Sequence, residues 1–308
     1  MNLLATRVAV AQLEHSASVD PLSQALAAIA EAAARGANLI AFAETWLPGY
    51  PAWLDVCPAI SLWDHAPTKA VFRRFFEQSI TVPGTATEQL SRAAAQAGIT
   101  VVLGAVERAT GPTQATLYNT LLTFGPDGSL LNHHRKLMPT HTERLVWGLG
   151  DARGVRTVET AAGRVGGLIC WEHWMPLARQ ALHEAGEDIH VAAWPQVKEM
   201  NLVASRHYAF EGRCFVLCAG ALLRGRELPP ELTPDPTLVP APDSWVLRGG
   251  SCIIGPDGVL LAGPVYEQST ILYADIDRGR ITEESLTLDV TGHYARPDCF
   301  RLVKIVTE

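Results

Sequence analysis

The sequence has no apolar run of about 18 residues, so no segment reads as a membrane-spanning helix. It has no basic stripe: 25 Lys and Arg against 32 Asp and Glu leave a formal net charge of −7. That balance argues against nucleic acid or an anionic membrane as a partner. None of the six cysteines forms a C-x-x-C pair, and HEAGEDIH at 183–190 is not H-E-x-x-H, so no zinc or dithiol motif is present. Six cysteines in 308 residues do not make a small disulfide scaffold. The start, MNLLATRVAVAQLE, lacks the apolar length and cleavage pattern of a secretory signal. A cytoplasmic protein with reduced thiols is the expectation. Low-complexity tracts are absent too, and 48% hydrophobic with 19% charged residues is an ordinary globular composition.

What the chain does have is an alternation of strand and helix signals. Thr6 to Ala11 reads as a strand. Asp20 can cap a helix with Pro21 at its first position, and Leu22, Ala25, Leu26, Ile29 and Ala33 share one face before Gly36. Asn38 to Ala43 reads as a fully apolar strand. A long Trp- and Pro-rich connection follows, then a helix over about Thr87 to Gln96 and a strand from Thr100 to Val106. A hairpin, LYNTLLTF-GPDG-SLLNHHRK, comes next.

The same order returns later: a helix from Leu202 to Gly212, a strand from Phe215 to Leu222, and the hairpin SCII-GPDG-VLLAG. GPDG at 125–128 recurs at 255–258, with Pro and Gly where a type I turn wants them. Two similar α/β halves packed sheet to sheet predict a four-layer αββα sandwich, one domain over residues 1–308. Six prolines between Pro229 and Pro242 predict a stiff loop, a lid or an oligomer contact.

Three reactive side chains stand where strands end: Glu44 after NLIAFA, Lys136 after NHHR, and Cys170 after VGGLI. Strand ends are where such sheets place chemistry. A thiol, a carboxylate base and a fixed cation make up a nucleophile with the groups that activate it and stabilise developing negative charge. Cys214 and Cys218 read as core. His133, His134 and His173 allow a Cys–His dyad, but its C-G-x-C-W signature is absent and the lysine and glutamates already fill the roles.

The blocks FAETWLPGYP, HHRKLMPTHTERLVWGLGD and GGLICWEHWMPLARQAL resemble the three signature regions of the nitrilase superfamily, its true nitrilase branch in particular. The resemblance runs from RVAVAQLEHSASV to DVTGHYARPDCF. It implies an αββα fold, a Glu-Lys-Cys triad of Glu44, Lys136 and Cys170, Glu143 as a second glutamate, and no metal or organic cofactor. The implied substrate is a small-molecule nitrile, hydrolysed to acid and ammonia through a thioimidate and a thioester. Glu143 positions water or holds Lys136. Trp171 is expected to wall the substrate pocket, Tyr50 and Trp53 to line its entrance, and Glu172 to anchor the Cys170 turn through backbone bonds.

The helices MPLARQALHEAG and NLVASRHYAFEGR correspond to the family's dimer face. The chain also stops at Glu308 without the long tail of spiral-forming nitrilases, so a homodimer or modest homo-oligomer is expected. An amide or carbamoyl hydrolase, a cyanide-hydrating enzyme and a catalytically silent binding relative are the competing readings. The Cys-Trp-Glu sequence favours the nitrile reading over the first of these.

Overall fold

A computed structural model describes residues 6–113 and 115–306. The first five residues and Glu308, on which the leader and tail expectations partly rest, lie outside that range. The first half runs β1 (Thr6–Gln12), β2 (Glu14–His15), α1 (Pro21–Ala34), β3 (Leu39–Ala41), α2 (Trp53–Val56), α3 (Ala66–Gln78), α4 (Thr85–Ala97), β4 (Thr100–Arg108), β5 (Leu117–Phe124) and β6 (Leu130–Arg135). The second runs β7 (Val158–Thr160), β8 (Gly163–Ile169), α5 (Pro176–Glu184), β9 (Ile189–Ala193), α6 (Glu199–Gly212), β10 (Phe215–Ala219), β11 (Leu222–Arg224), β12 (Trp245–Ile254) and β13 (Leu260–Tyr266). β14 (Thr270–Ile276) and α7 (Gly279–Ser285) close the chain's regular structure.

One sheet has the order β14-β1-β3-β4-β5-β6, and the other contains β12-β10-β9-β8 with β13 paired to β12. Five strands of each half match, β1, β3, β4, β5 and β6 against β8, β9, β10, β12 and β13. β1, β3 and β4 are parallel neighbours, as are β8, β9 and β10. In each half two antiparallel strands then follow, β5 and β6 or β12 and β13. The repeated GPDG turns join these equivalent hairpins. β14 departs from the repeat: it leaves the second half and pairs antiparallel with β1, stitching the two sheets' sequences together.

The strand period of two builds the layers. Val8 and Val10 of β1 enter the core shared with Leu168, Val191 and Cys218 of the second sheet. Ala9 and Ala11 face the other way, onto Ala25, Ala28 and Ile29 of α1. Strands buried on both faces need the continuous apolar runs seen in the sequence, and each fully buried Val or Leu contributes about 1.5–3 kcal/mol. Asp20 caps α1 by accepting from Ser23 N, as its sequence predicts. No helix among the described residues is long and apolar enough to cross a membrane.

Several boundaries differ from the sequence reading: β3 ends at Ala41 rather than Ala43, and α6 starts at Glu199 rather than Leu202. The Trp/Pro-rich connection contains α3, whose Val71 and Phe75, four residues apart, are buried. The strand expected from Phe215 to Leu222 breaks after Ala219, where Gly220 N donates to Ser251 Oγ at 2.9 Å, and restarts at Leu222. The Pro229–Pro242 segment is a strap over α2 and α3. Leu232 and Val239 are buried in the first half's core, Asp235 N donates to Val56 O at 2.8 Å, and Glu231 pairs with Arg74.

Candidate active site

Glu44, Lys136 and Cys170 come from different strand ends and meet between the sheets. Glu44 lies three residues past β3, and its backbone N–H donates to Trp194 O at 3.2 Å, tying the first half to the end of β9. Lys136 follows β6 directly, with its N–H donating to Asn119 O at 2.7 Å. Cys170 opens a 3₁₀ turn, Cys170–Trp174, immediately after β8. Its φ of 50° is left-handed, a conformation that costs a non-glycine residue about 1–3 kcal/mol. Such a turn lifts the side chain off the strand end, as a nucleophile elbow must.

All three are buried, and Glu143 is buried beside them. The Lys136 ammonium donates to Glu44 Oε1 at 2.8 Å and to Glu143 Oε2 at 2.7 Å. A carboxylate oxygen of each glutamate and the Cys170 Sγ all lie within 4.8 Å of one another. Three such donors are of a kind that can hold a metal ion; here the single Lys136 ammonium bridges the two carboxylates. Asn119 Nδ2 also donates to Glu44 Oε1, at 2.6 Å. Glu44 Oε2 has no partner among the described residues, although it is buried. An unpaired buried carboxylate oxygen is costly to maintain, and here it leaves one acceptor free for the thiol proton.

The electrostatics follow from burial. Loss of water pushes the Glu44 carboxyl up to about 7, with Glu143 adding to the rise and Lys136 pulling it back. Burial and the Glu44 charge push the Cys170 thiol well above its ordinary value, against Lys136. Lys136 is raised too: burial alone would lower it, but Glu44, Cys170 and Glu143 outweigh burial, so it stays an ammonium. At rest the thiol is protonated beside a base poised near neutrality.

Glu172 is the clamp. One of its oxygens accepts from Leu137 N and the other from Ile169 N, both at 2.7 Å, and His134 Nε2 bonds to the carboxylate at 3.0 Å. It thereby locks the strand end carrying Lys136 to the strand end carrying Cys170. His134 and the two backbone N–H groups hold the Glu172 carboxyl below its ordinary value although burial opposes them. None of the three histidines bonds the thiol. His133 bonds Glu107, His134 bonds Glu172, and His173 bonds the Cys170 carbonyl.

Tyr50 Oη donates towards Glu143 Oε1 and Asp55 Oδ2, each at 3.2 Å. With Trp53 it lines a cavity of about 620 Å³ that reaches the proline strap at Pro229. Trp53 itself is buried and packs edge-on to Phe75 at 6.2 Å. Trp171 is 56% exposed, with its ring against Trp174 at 5.1 Å, so it is no core aromatic.

Sequence reasoning missed two supports. Asn119, a buried amide inside the apolar strand LYNTLLTF, was visible as a polar residue out of place. Gly104 carried no signal: a Cβ there would lie 2.5 Å from Thr45 N and 2.9 Å from the Glu44 carbonyl carbon, so only glycine lets β4 approach the base this closely.

A buried thiol with a carboxylate base and a bridging ammonium, set at strand ends of an αββα sandwich, is the site of a thiol-dependent hydrolase. The chain belongs to the carbon–nitrogen hydrolase family, which matches residues 7–284. It is 42% identical to an aliphatic nitrilase of Sinorhizobium fredii over 89% of this chain and 87% of that one. A bifunctional nitrilase/nitrile hydratase of Lupinus angustifolius is 39% identical, over 92% of this chain and 80% of its own. A nitrilase of Bradyrhizobium diazoefficiens is 37% identical, over 98% and 92%. In solved structures the fold matches a carbon–nitrogen hydrolase of Helicobacter pylori G27, with TM-score 0.72, 18% identity and coverage of 95% and 96%.

Proposed function

We propose that the protein is a nitrilase, acting as a single domain on a small organic nitrile and releasing the carboxylic acid and ammonia. One observation carries the chemistry: Cys170 Sγ shares a buried site with Glu44, whose Oε2 lacks a partner while Lys136 holds Oε1. The relatives at 37–42% identity support the nitrile as substrate.

Glu44 takes the thiol proton, the thiolate adds to the nitrile carbon, and the proton returns to nitrogen to give a thioimidate. Water then adds to the thioimidate carbon, and Glu44, a carboxylate again, takes up a proton from it. Glu44 supplies the proton that lets ammonia leave, and a thioester on Cys170 remains. A second water releases the acid and restores the thiol. Lys136 faces the negative charge that develops in each addition. Glu143 orients Lys136 by accepting from Nζ and is itself held by Thr140 N at 2.7 Å. Nothing in this scheme calls on a cofactor.

Tyr50 and Trp53 line the entrance and Trp171 the substrate wall in this reading, so Trp171→Ala raises KM more than it lowers kcat. The exposed apolar residues Leu177, Met200, Val203 and Phe210 on α5 and α6 support a homodimer through those helices. Five buried free cysteines suit a reducing, cytoplasmic setting. Mass spectrometry of enzyme quenched during turnover tests the covalent step. An acyl or imidoyl adduct on the Cys170 peptide is expected, and an adduct elsewhere, or turnover by Cys170→Ala, contradicts it.

A further inference from the structure

The catalytic turn is held from behind by a buried chain of polar side chains that the chemistry above does not use. His173 Nδ1 bonds the Cys170 carbonyl at 2.7 Å, His173 Nε2 bonds His190 Nε2 at 2.9 Å, and His190 Nδ1 bonds Glu187 Oε1 at 2.8 Å. Tyr208 Oη donates to Glu187 Oε2 at 2.6 Å. All four side chains are buried. His173 stacks on Trp194 at 4.6 Å, and Trp194 O is the acceptor that fixes Glu44.

The direction of every bond is forced from one end. A carbonyl only accepts, so His173 carries its proton on Nδ1 and, when neutral, presents a lone pair at Nε2. His190 must then bring Nε2–H to that bond, which leaves its Nδ1 as the acceptor. The remaining proton has to come from Glu187, as a carboxylic acid or as a proton passed onto His190. Either way the Glu187–His190 pair holds one ionisable proton and no net charge. Burial favours this state, pushing the Glu187 carboxyl up to about 8, His173 down to about 3 and His190 well below its ordinary value.

We propose that His173, His190, Glu187 and Tyr208 are positioning residues for the nucleophile: a one-way hydrogen-bond chain, closed by a proton between Glu187 and His190, keeps His173 donating to the Cys170 carbonyl and so holds the left-handed elbow. The proposal rests on Cys170 being the nucleophile. Loss of the shared proton reverses the chain. His190 then turns Nδ1–H to the carboxylate, two lone pairs meet at the His190–His173 bond, and His173 can relieve them only by giving up the Cys170 carbonyl. The other titratable or charged groups facing the chain are His183 from α5, Asp188 beside Glu187, Glu211 of α6 facing Tyr208, Cys214 after α6, Glu172, and Arg179, which donates to His173 O at 3.0 Å.

The test compares wild type, Glu187→Gln, Glu187→Ala and Tyr208→Phe in nitrile hydrolysis across pH. In wild type kcat falls above about pH 8 while KM stays flat. Gln keeps a donor for His190 and an acceptor for Tyr208 but no ionisable proton, so it retains kcat to within about threefold and loses the alkaline fall. Ala lowers kcat about 10- to 100-fold at every pH. Phe removes a bond that stabilises the carboxylate and moves the fall to higher pH. An alkaline fall that persists in Gln, wild-type kcat in Ala, or an unmoved limb in Phe overturns the proposal. Alkylation of Cys170 by iodoacetamide at pH 7, read by mass spectrometry, needs no nitrile. Gln reacting like wild type and Ala departing from it supports the chain even if no nitrile is turned over; Gln and Ala behaving alike overturns it.

Discussion

At the scale of single residues, reactivity is set by how few groups share one dry space. Cys170→Ala removes the attacking atom, so ammonia release from a nitrile is expected to vanish while the circular dichroism spectrum is unchanged. Cys214→Ala and Cys218→Ala keep turnover, because both thiols are fully buried core side chains outside the Glu44–Lys136 cluster. As the proposed base, Glu44 would accept the thiol proton only when it is itself unprotonated. With its carboxyl near 7, kcat is expected to rise as pH rises through about 7 and to fall below it. A pH profile flat from 5 to 8 would remove Glu44 from the base role. Lys136→Met leaves two buried carboxylates facing each other without a cation, which costs about 3–5 kcal/mol and shows as a lowered Tm alongside lost activity.

At the scale of elements, the site depends on backbone approaches that hold three strand ends together. Gly104→Ala forces β4 away from Ala43–Thr45 and is expected to lower kcat about 100-fold with a smaller change in Tm. Normal kcat there would mean the base tolerates displacement. Glu172→Gln replaces an acceptor for two backbone N–H groups by an amide that can accept only through one atom. With about 1.5–3 kcal/mol at stake in each charged hydrogen bond, both Tm and kcat should fall.

The sequence made much of this level readable. Glu44, Lys136 and Cys170 stood out because each stands where a strand ends, and Glu172 because an acid beside a buried turn needs partners. Asn119 was visible as a polar residue inside an apolar strand, but its partner Glu44 lies 75 residues away and no local pattern names it. Gly104 was hidden because its role is a distance between two strands, which no local pattern encodes. The helix α3 was masked by the prolines and tryptophans around it, although Val71 and Phe75 have helical spacing.

At the scale of the whole molecule, the doubled strand order explains why the repeated GPDG turn was informative: it marks equivalent hairpins in both sheets. β14 was not legible as a member of the first sheet, because pairing across 258 to 270 residues of chain, from Gln12 with Thr270 to Thr6 with Ile276, leaves no trace in local periodicity. The apolar surface of α5 and α6 sits directly behind the Cys170 turn, so the proposed dimer face and the proposed active site would share a support. Light scattering at micromolar concentration is expected to give a dimer or a modest oligomer, and Leu177→Asp with Phe210→Asp to shift it towards monomer. A wild-type monomer would contradict that face as an interface.

The central claim is that this site hydrolyses nitriles to acids, and its selectivity lies in one tetrahedral intermediate. Losing ammonia leads to thioester and acid, whereas losing the Cys170 thiolate releases amide, and each 1.4 kcal/mol between the barriers changes the ratio about tenfold. Glu44 and Lys136 favour the first exit by protonating the nitrogen and stabilising the intermediate. The most direct test is one nitrile and its matching amide assayed side by side for ammonia, acid and amide. The account predicts faster turnover of the nitrile, with acid as the main product and amide as a minor one; faster turnover of the amide, or amide as the main product from the nitrile, would contradict it.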